Sequence, residues 1–502
     1  MSYFLYGASV QGIQDFIFQT NKLKEIGGAS ELVEQICTSE FFKEAGIDAN
    51  DENIIINAAG NIKYLFNDEN KCQQLVRKFP RAIAEFAPGI TISQAVFKLE
   101  KTGKLSDAIN ALEERLKAQR NNPQSPVEIG FMGLERARRT GGVGREYIEN
   151  EVYDASSKKK IDAFAKYRKQ SDSLNLKSSP NLYQKFFGAD LEVNKIPFDV
   201  NQINKDSSSP WLAVIHADGN GLGKLVQRLS SKLKEKDTEV AKKAFAVFSR
   251  QLDEATQIAA KTAFKNLNLN ASKEEKYPIR PILLGGDDIT LIIRADLAFD
   301  FTVNFLQEFE YQTQKRLAFL STDYEITEFR NGLTACAGIA YIKYSYPIHY
   351  GLHLAEELTK KAKKASKSIK DQKLPPSSIS FYKVHSSFIE DIEEIEKKTL
   401  TAGNVRFDYG PYFLMRTSEF PEVKDLLKLL AVLDEHRNDK SKGVSKLRQW
   451  ISELYKAEST ADFMLKRIGV VDANFYKEME LDKAIVNNKT MIYDVLQLFS
   501  FL

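Results

Sequence analysis

Two adjacent aspartates, Asp287 and Asp288, follow two glycines in the run ILLGGDDITLII, which extends from Ile282 to Ile293. Apolar residues on both sides read as the strands of a buried hairpin, so the two carboxylates sit side by side where their charges repel. Taken alone, Gly-Gly-Asp-Asp is ordinary turn chemistry, because glycine supplies positive φ and aspartate bonds back to the turn. A third carboxylate shifts that balance. The run WLAVIHADG ends a strand at Asp218, and strand alternation puts Leu212, Val214, His216 and Asp218 on one face. Three converging carboxylates repel unless they are protonated or neutralised by a cation. Hard oxygen ligands with open positions suit Mg2+ or Mn2+ bridged to phosphates. Two such ions are what two-metal phosphoryl transfer needs: one lowers the pKa of an attacking hydroxyl, the other steadies leaving pyrophosphate.

The neighbouring residues fit the same chemistry with different strength. Gly285 and Gly286 allow either a tight turn or close approach of a nucleotide to the backbone. After Asp218, the run from Gly219 to Lys224 opens a helix whose first amides can hold phosphate oxygens, whereas its GNGLG spacing fails the dinucleotide fingerprint. In YGLHLAEELTKKAKKASKSIK, an apolar stripe (Leu352, Ala355, Leu358, Ala362, Ala365, Ile369) leaves Lys360, Lys361, Lys363, Lys364 and Lys367 on other faces. Spacing alone does not choose between a solvated basic face and a lysine that reaches phosphate. His216 reads as a hydrogen-bonded structural group; His349 and His353 have i, i+4 spacing without the glutamate of a HExxH motif.

The elements that must position these groups follow one order twice. SYFLYGASV reads as a strand, the stretch to Phe42 as helix interrupted at Gly27 and Gly28, NIIINAAGNIKYLF as two short strands, Lys71 to about Phe86 as helix, and GITISQAVFKL as a strand. From Trp211 the order β-α-β-β-α-β recurs, with Gly-Gly-Asp-Asp in its central hairpin. The expected class is α+β, with two ferredoxin-like units and a C-terminal α-helical domain. The expected divisions are residues 1–120, an inter-unit insertion at 121–205 rich in Ser, Lys, Asn and Gly, the second unit at 206–385, and helices at 386–502.

Composition bounds the rest. Lys plus Arg (71) barely exceeds Asp plus Glu (68), so nucleic acid would be held by local patches and not by a global field. Arg136, Arg138, Arg139 and Arg145, interleaved with glycines, and the lysine tract from Lys360 to Lys373 are such patches. Three scattered cysteines, Cys37, Cys72 and Cys336, exclude a cysteine zinc knuckle and fit a reducing setting. Without an apolar run near the roughly 18 residues of a membrane span, or a signal core at the start, the expected location is cytoplasmic, with no membrane partner.

Four stretches together resemble the large subunit of type III CRISPR effector complexes, the Cas ten or Cmr two family, sometimes called the CRISPR polymerase. They are GASVQGIQDFIFQTNKLKEIGGAS, NAAGN, DGNGLGKL, and LLGGDDITLII followed by YPIHYGLHLAEELTKKAKKASK, spanning roughly residues 1 to 385. The resemblance implies two palm, or nucleotidyl cyclase-like, units. Asp218, Asp287 and Asp288 would hold two divalent ions, Gly219, Gly285 and Gly286 would lie against the nucleotide, and Lys363 would contact phosphate. Ala58-Ala59-Gly60-Asn61 stands where the second unit has Gly-Gly-Asp-Asp, which implies a silent first palm that still presents surface to a nucleotide. Asn220 replaces the second aspartate of the family's Asp-x-Asp pattern, and the absence of any His-Asp dipeptide implies a form without an HD nuclease.

The leading expectation is a metal-dependent nucleotidyltransferase that converts ATP to a cyclic oligoadenylate or related messenger when target RNA is bound. Its partners would be other type III subunits, guide RNA and target RNA. Two alternatives are a stand-alone nucleotide cyclase and a ribonucleoprotein scaffold, though a scaffold gains nothing from repelling carboxylates.

Overall fold

The alternating run Tyr3–Gln11 forms β1, an inner strand buried along most of its length. It is followed by α1 (Ile13–Phe18), α2 (Leu23–Gln35), α3 (Ser39–Glu44), β2 (Ile54–Ala58), β3 (Asn61–Phe66), α4 (Glu69–Phe86) and β4 (Thr91–Leu99). The strands lie in the order β2-β3-β1-β4, every pairing antiparallel. That is the expected ferredoxin-like order, and α5 (Leu105–Arg120) packs back on β1 and β4. This computed structural model describes residues 2–36, 38–47, 53–58, 60–100, 103–121, 131–148, 150–171, 181–188, 191–204, 209–269, 275–370, 374–385, 392–437 and 443–502. Cys37 and Ala59 lie outside the described residues.

The helix expected to break at Gly27 and Gly28 runs unbroken from Leu23 to Gln35. Both glycines are there for space. The inter-unit segment supplies a hairpin, β5 (Gly144–Ile148) and β6 (Glu151–Asp154), then α6 (Ala155–Ser171), α7 (Leu182–Phe187) and α8 (Val200–Ile203). Helix α6 packs on α2 so closely that a Cβ at Gly28 would fall 1.7 Å from the Lys160 carbonyl oxygen. A Cβ at Gly27 would fall 1.5 Å from the Arg280 guanidinium.

The second unit repeats the first and extends it. Its elements are β7 (Trp211–Gly219), α9 (Leu222–Leu233), α10 (Thr238–Asn266), β8 (Ile279–Gly285), β9 (Asp288–Arg294), α11 (Ala295–Arg316), α12 (Phe319–Thr322), β10 (Ala335–Lys343), α13 (Ile348–Ser368) and β11 (Ser378–Lys383). Strands β8-β9-β7-β10 reproduce the order of the first sheet, and β11 joins β10 in parallel after the α13 crossover. Next come α14 (Ile392–Lys398), β12 (Thr401–Ala402), β13 (Val405–Arg406), β14 (Tyr412–Phe413), α15 (Val423–Glu435), α16 (Gly443–Leu454), α17 (Glu458–Val471), α18 (Ala473–Glu478) and α19 (Ile492–Phe499).

The division expected at residue 385 is crossed by the sheet. Strand β14 pairs antiparallel with β11 and covers what would otherwise be an open edge. Phe501 then stacks on Tyr341 of β10 with ring centroids 4.3 Å apart. The C-terminal helices are therefore built onto the second sheet, and not separate from it. No helix among the described residues is long and apolar enough to cross a membrane.

Candidate active site

Antiparallel pairing of β7 with β9 sets Asp218 directly opposite Asp288, so both side chains leave the same face of the sheet. Asp288 also pairs with Gly285 across the hairpin, leaving Gly286 and Asp287 as its two-residue turn. Gly286 has φ of 63°, the positive value that the first turn residue of a tight hairpin asks of glycine. Asp287 folds back against the end of β7. A Cβ at Gly219 would lie 2.6 Å from Asp287 Oδ2, so glycine at 219 is what leaves room for the third carboxylate.

The result is the cluster the spacing predicts: ligand atoms of Asp218, Asp287 and Asp288 lie within 4.8 Å of one another. Burial, then the Asp218 charge, pushes the Asp287 carboxyl up to about 7. Burial and the charges of Asp287 and Asp218 hold the Asp288 carboxyl well above the usual carboxylate range. Asp288 Oδ1 is buried with no hydrogen-bond partner. An orphaned buried oxygen among three hard oxygen donors is the environment a divalent cation satisfies, so the residues present fit Mg2+ or Mn2+. Because the metal must displace protons held by Asp287 and Asp288, Mn2+ affinity should weaken as pH falls through about 7. Calorimetric titration at pH about 6 and about 8 checks this, and a pH-independent affinity would contradict it.

Lys363 reaches this cluster from α13. Its ammonium pairs with Asp218 and donates to the Gly219 carbonyl at 3.0 Å. The lysine expected to meet phosphate thus lies at the carboxylates, where it offsets part of their repulsion. Its neighbours face elsewhere: Lys360 pairs with Glu357 at 2.7 Å and Lys361 with Glu396 at 2.6 Å. His216 Nδ1 lies 3.0 Å from Thr290 Oγ1, and burial pushes its pKa down to about 4, so it is a neutral structural group. His349 and His353 join no metal-type cluster among the described residues.

Asn220 does not look toward the carboxylates. Its side-chain amide is buried and donates to Thr334 Oγ1 at 3.2 Å and to the Pro375 carbonyl at 3.4 Å. Aspartate cannot donate there. Asn220→Asp should therefore destabilise the fold by about 1–3 kcal/mol without tightening Mn2+ binding, as thermal melts and metal titration on the same sample would report.

The arginines set apart for RNA divide. Arg139 is committed within the chain, paired with Glu25 and with Glu151 (2.9 Å) and lying over the Tyr153 ring. Arg136 donates to the Gly141 carbonyl at 2.8 Å, and with Arg138 and Arg145 remains on the surface.

Sequence spacing does not reveal the cavity of about 380 Å3 that lies between the two units. Gly285 and Asp288 line one side; Val10 to Asp15 and Gly60 of the first unit line the other, with Glu34, Lys185 and Asp253 completing it. Its size suits a nucleotide-class ligand. The one local signal was the position of Gly60 in the hairpin that corresponds to Gly-Gly-Asp-Asp.

Residues 211–372 match the sequence profile of Cas10/Cmr2, second palm domain. Among solved structures, a Csm1–Csm4 cassette in complex with cA4 is similar with a TM-score of 0.50 and 14% identity, covering 99% of this chain and 70% of that one. The cassette with pppApApA gives 0.50 and 15% over 99% and 69%, and the apo cassette 0.50 and 14% over 99% and 70%. At such identity the likeness is one of fold. No curated protein matches the chain by sequence. The profile match begins at the strand carrying Asp218 and contains the hairpin of Asp287 and Asp288, so the region that holds all three carboxylates is similar to the second palm domain of the Cas10/Cmr2 family.

Proposed function

We propose that this chain is a metal-dependent nucleotidyltransferase that converts ATP to a cyclic oligoadenylate or a related nucleotide messenger, releasing pyrophosphate. The observation that carries this reading is the convergence of Asp218, Asp287 and Asp288 beside a cavity walled by both units. When bound at these carboxylates, Mg2+ or Mn2+ supplies charge that lowers the pKa of an attacking 3′-hydroxyl and steadies the departing phosphates. In the reaction the 3′-oxygen bonds to the α-phosphorus of a second nucleotide, the bond to the β-phosphate breaks, and the hydroxyl proton is released with pyrophosphate.

The chain's own residues bind and orient. Gly285 and Gly286 let the nucleotide approach the hairpin, and a Cβ at Gly286 would point into open space. Gly219 keeps Asp287 in place, and Lys363 is poised to exchange Asp218 for a phosphate oxygen when a cation takes its place. The first palm, lacking carboxylates at its own hairpin, contributes the opposite wall, where a second nucleotide would sit.

The solved cassettes carry cA4 or pppApApA, which supports this product class, and their Csm1–Csm4 composition supports assembly with other type III CRISPR subunits. Guide RNA and target RNA complete the proposed complex, with Arg136 and Arg138 as phosphate contacts sensitive to salt. The test is to incubate the chain, alone and in a complex with target RNA, with ATP and Mn2+ and to identify products by mass spectrometry. Oligoadenylate or an AMP conjugate supports the reading; no product under either condition overturns it. Product formed without RNA would instead favour a stand-alone cyclase.

A further inference from the structure

The hairpin that bears Asp287 and Asp288 is held from outside the sheet. A two-residue turn leaves the backbone groups of its first residue outside the strand ladder. Here α10 takes up both. The Gly286 N–H donates to Asp253 Oδ1 at 3.2 Å, and the Gly286 carbonyl accepts from Thr256 Oγ1 at 2.6 Å. Asp253 and Thr256 are three residues apart, one helical turn, so they grip the turn from one helix face. Thr256 is fully buried, and Gln257 Nε2 donates to the other Asp253 oxygen at 2.7 Å, which fixes the carboxylate.

The grip continues toward the first unit. Asp253 lines the inter-unit cavity, and its charge acts on the Lys185 ammonium, which pairs with Glu34 of α2. Helix α10 also packs on β2 of the first sheet. The turn is thus tied to groups contributed by α2, α7 and α10, and not only to its own strands.

We propose that Asp253 and Thr256 are positioning residues that hold Gly286 and so set where Asp287 and Asp288 stand relative to Asp218, with Lys185 and Glu34 linking that setting to the first palm. This rests on the metal-dependent reading above. The substitutions Thr256→Val, which keeps shape and removes the hydroxyl, Thr256→Ser, which restores it, and Asp253→Asn test it in the full chain. Amide hydrogen exchange over residues 284–290 should quicken about tenfold in Thr256→Val and return toward wild type in Thr256→Ser. Calorimetric Mn2+ affinity should weaken about tenfold in Thr256→Val and in Asp253→Asn, and recover in Thr256→Ser.

Exchange and Mn2+ affinity at wild-type levels in folded Thr256→Val would overturn the proposal, as would failure of Thr256→Ser to restore them. These readouts need no turnover. If wild-type protein binds Mn2+ yet makes no oligonucleotide, the proposed reaction fails while the clamp still stands or falls on exchange and affinity. If wild type binds no Mn2+, both fail.

Discussion

Replacing Asp288 by asparagine is expected to lower nucleotide synthesis at least about a hundredfold, a loss of roughly 3 kcal/mol or more in transition-state stabilisation. The same change is expected to make the protein more stable in the absence of metal. Asp288 is partly buried, has one buried oxygen without a partner, and faces Asp218 and Asp287, so its charged form is opposed by more than Lys363 offsets. Asparagine keeps the shape and removes the charge, relieving about 1 kcal/mol of repulsion. Asp287→Asn should behave alike. Oligonucleotide yield and thermal melting of metal-free protein separate the two effects. Activity and stability moving in opposite directions identifies a site kept for chemistry. If both fell together, Asp288 would be a structural residue; if synthesis survived, the proposed site would be wrong.

What was readable from sequence and what was not divides along the range of the interactions. Asp287 and Asp288 are fixed as neighbours by a hairpin of a few residues, and the repeated β-α-β-β order puts the strand of Asp218 beside it; the register that sets Asp218 opposite Asp288 is supplied by the sheet itself. Asn220 and Lys363 were recognised as positions but not for their contacts. One turns its amide toward Thr334 and Pro375, and the other pairs with Asp218, through packing of segments more than a hundred residues apart. Asp253, Thr256 and Lys185 carry no motif at all; they reach the site only because α10 packs on β2 and β8 and α7 packs on β8 and α2. Strand β14 is not legible in the sequence because two residues, Tyr412 and Phe413, are too short to show a period. Gly27 and Gly28 read as a break for a related reason, since propensity describes a helix in solvent and theirs is buried.

That glycine pair yields a prediction in which local and tertiary physics disagree in sign. In an exposed helix, glycine to alanine stabilises by about 1 kcal/mol. Gly28→Ala is expected instead to destabilise by about 3 kcal/mol or more, at the upper end of overpacking. The methyl would meet a main-chain carbonyl oxygen at 1.7 Å, and backbone cannot rotate aside as a side chain can. Helix α6 cannot easily retreat either. Lys160 is buried, its Nζ donates to the Phe16 carbonyl at 2.6 Å and to Gln19 at 3.1 Å, and it lies over the Phe16 ring. Beside it, Arg280 of β8 is wholly buried against Gly27, donates to the Pro197 carbonyl at 2.9 Å, and lies over the Tyr183 ring. Since β8 leads directly into Gly285 and Gly286, forcing α2 away from α6 and Arg280 should loosen the inter-unit cavity as well as the core. Gly223 in α9 is the control, because a methyl there meets nothing within 4 Å. Gly223→Ala should be neutral or stabilise by up to about 1 kcal/mol. Denaturant unfolding of the two variants side by side decides the matter: if Gly28→Ala is as well tolerated as Gly223→Ala, the close contact of α2 with α6 does not constrain the core.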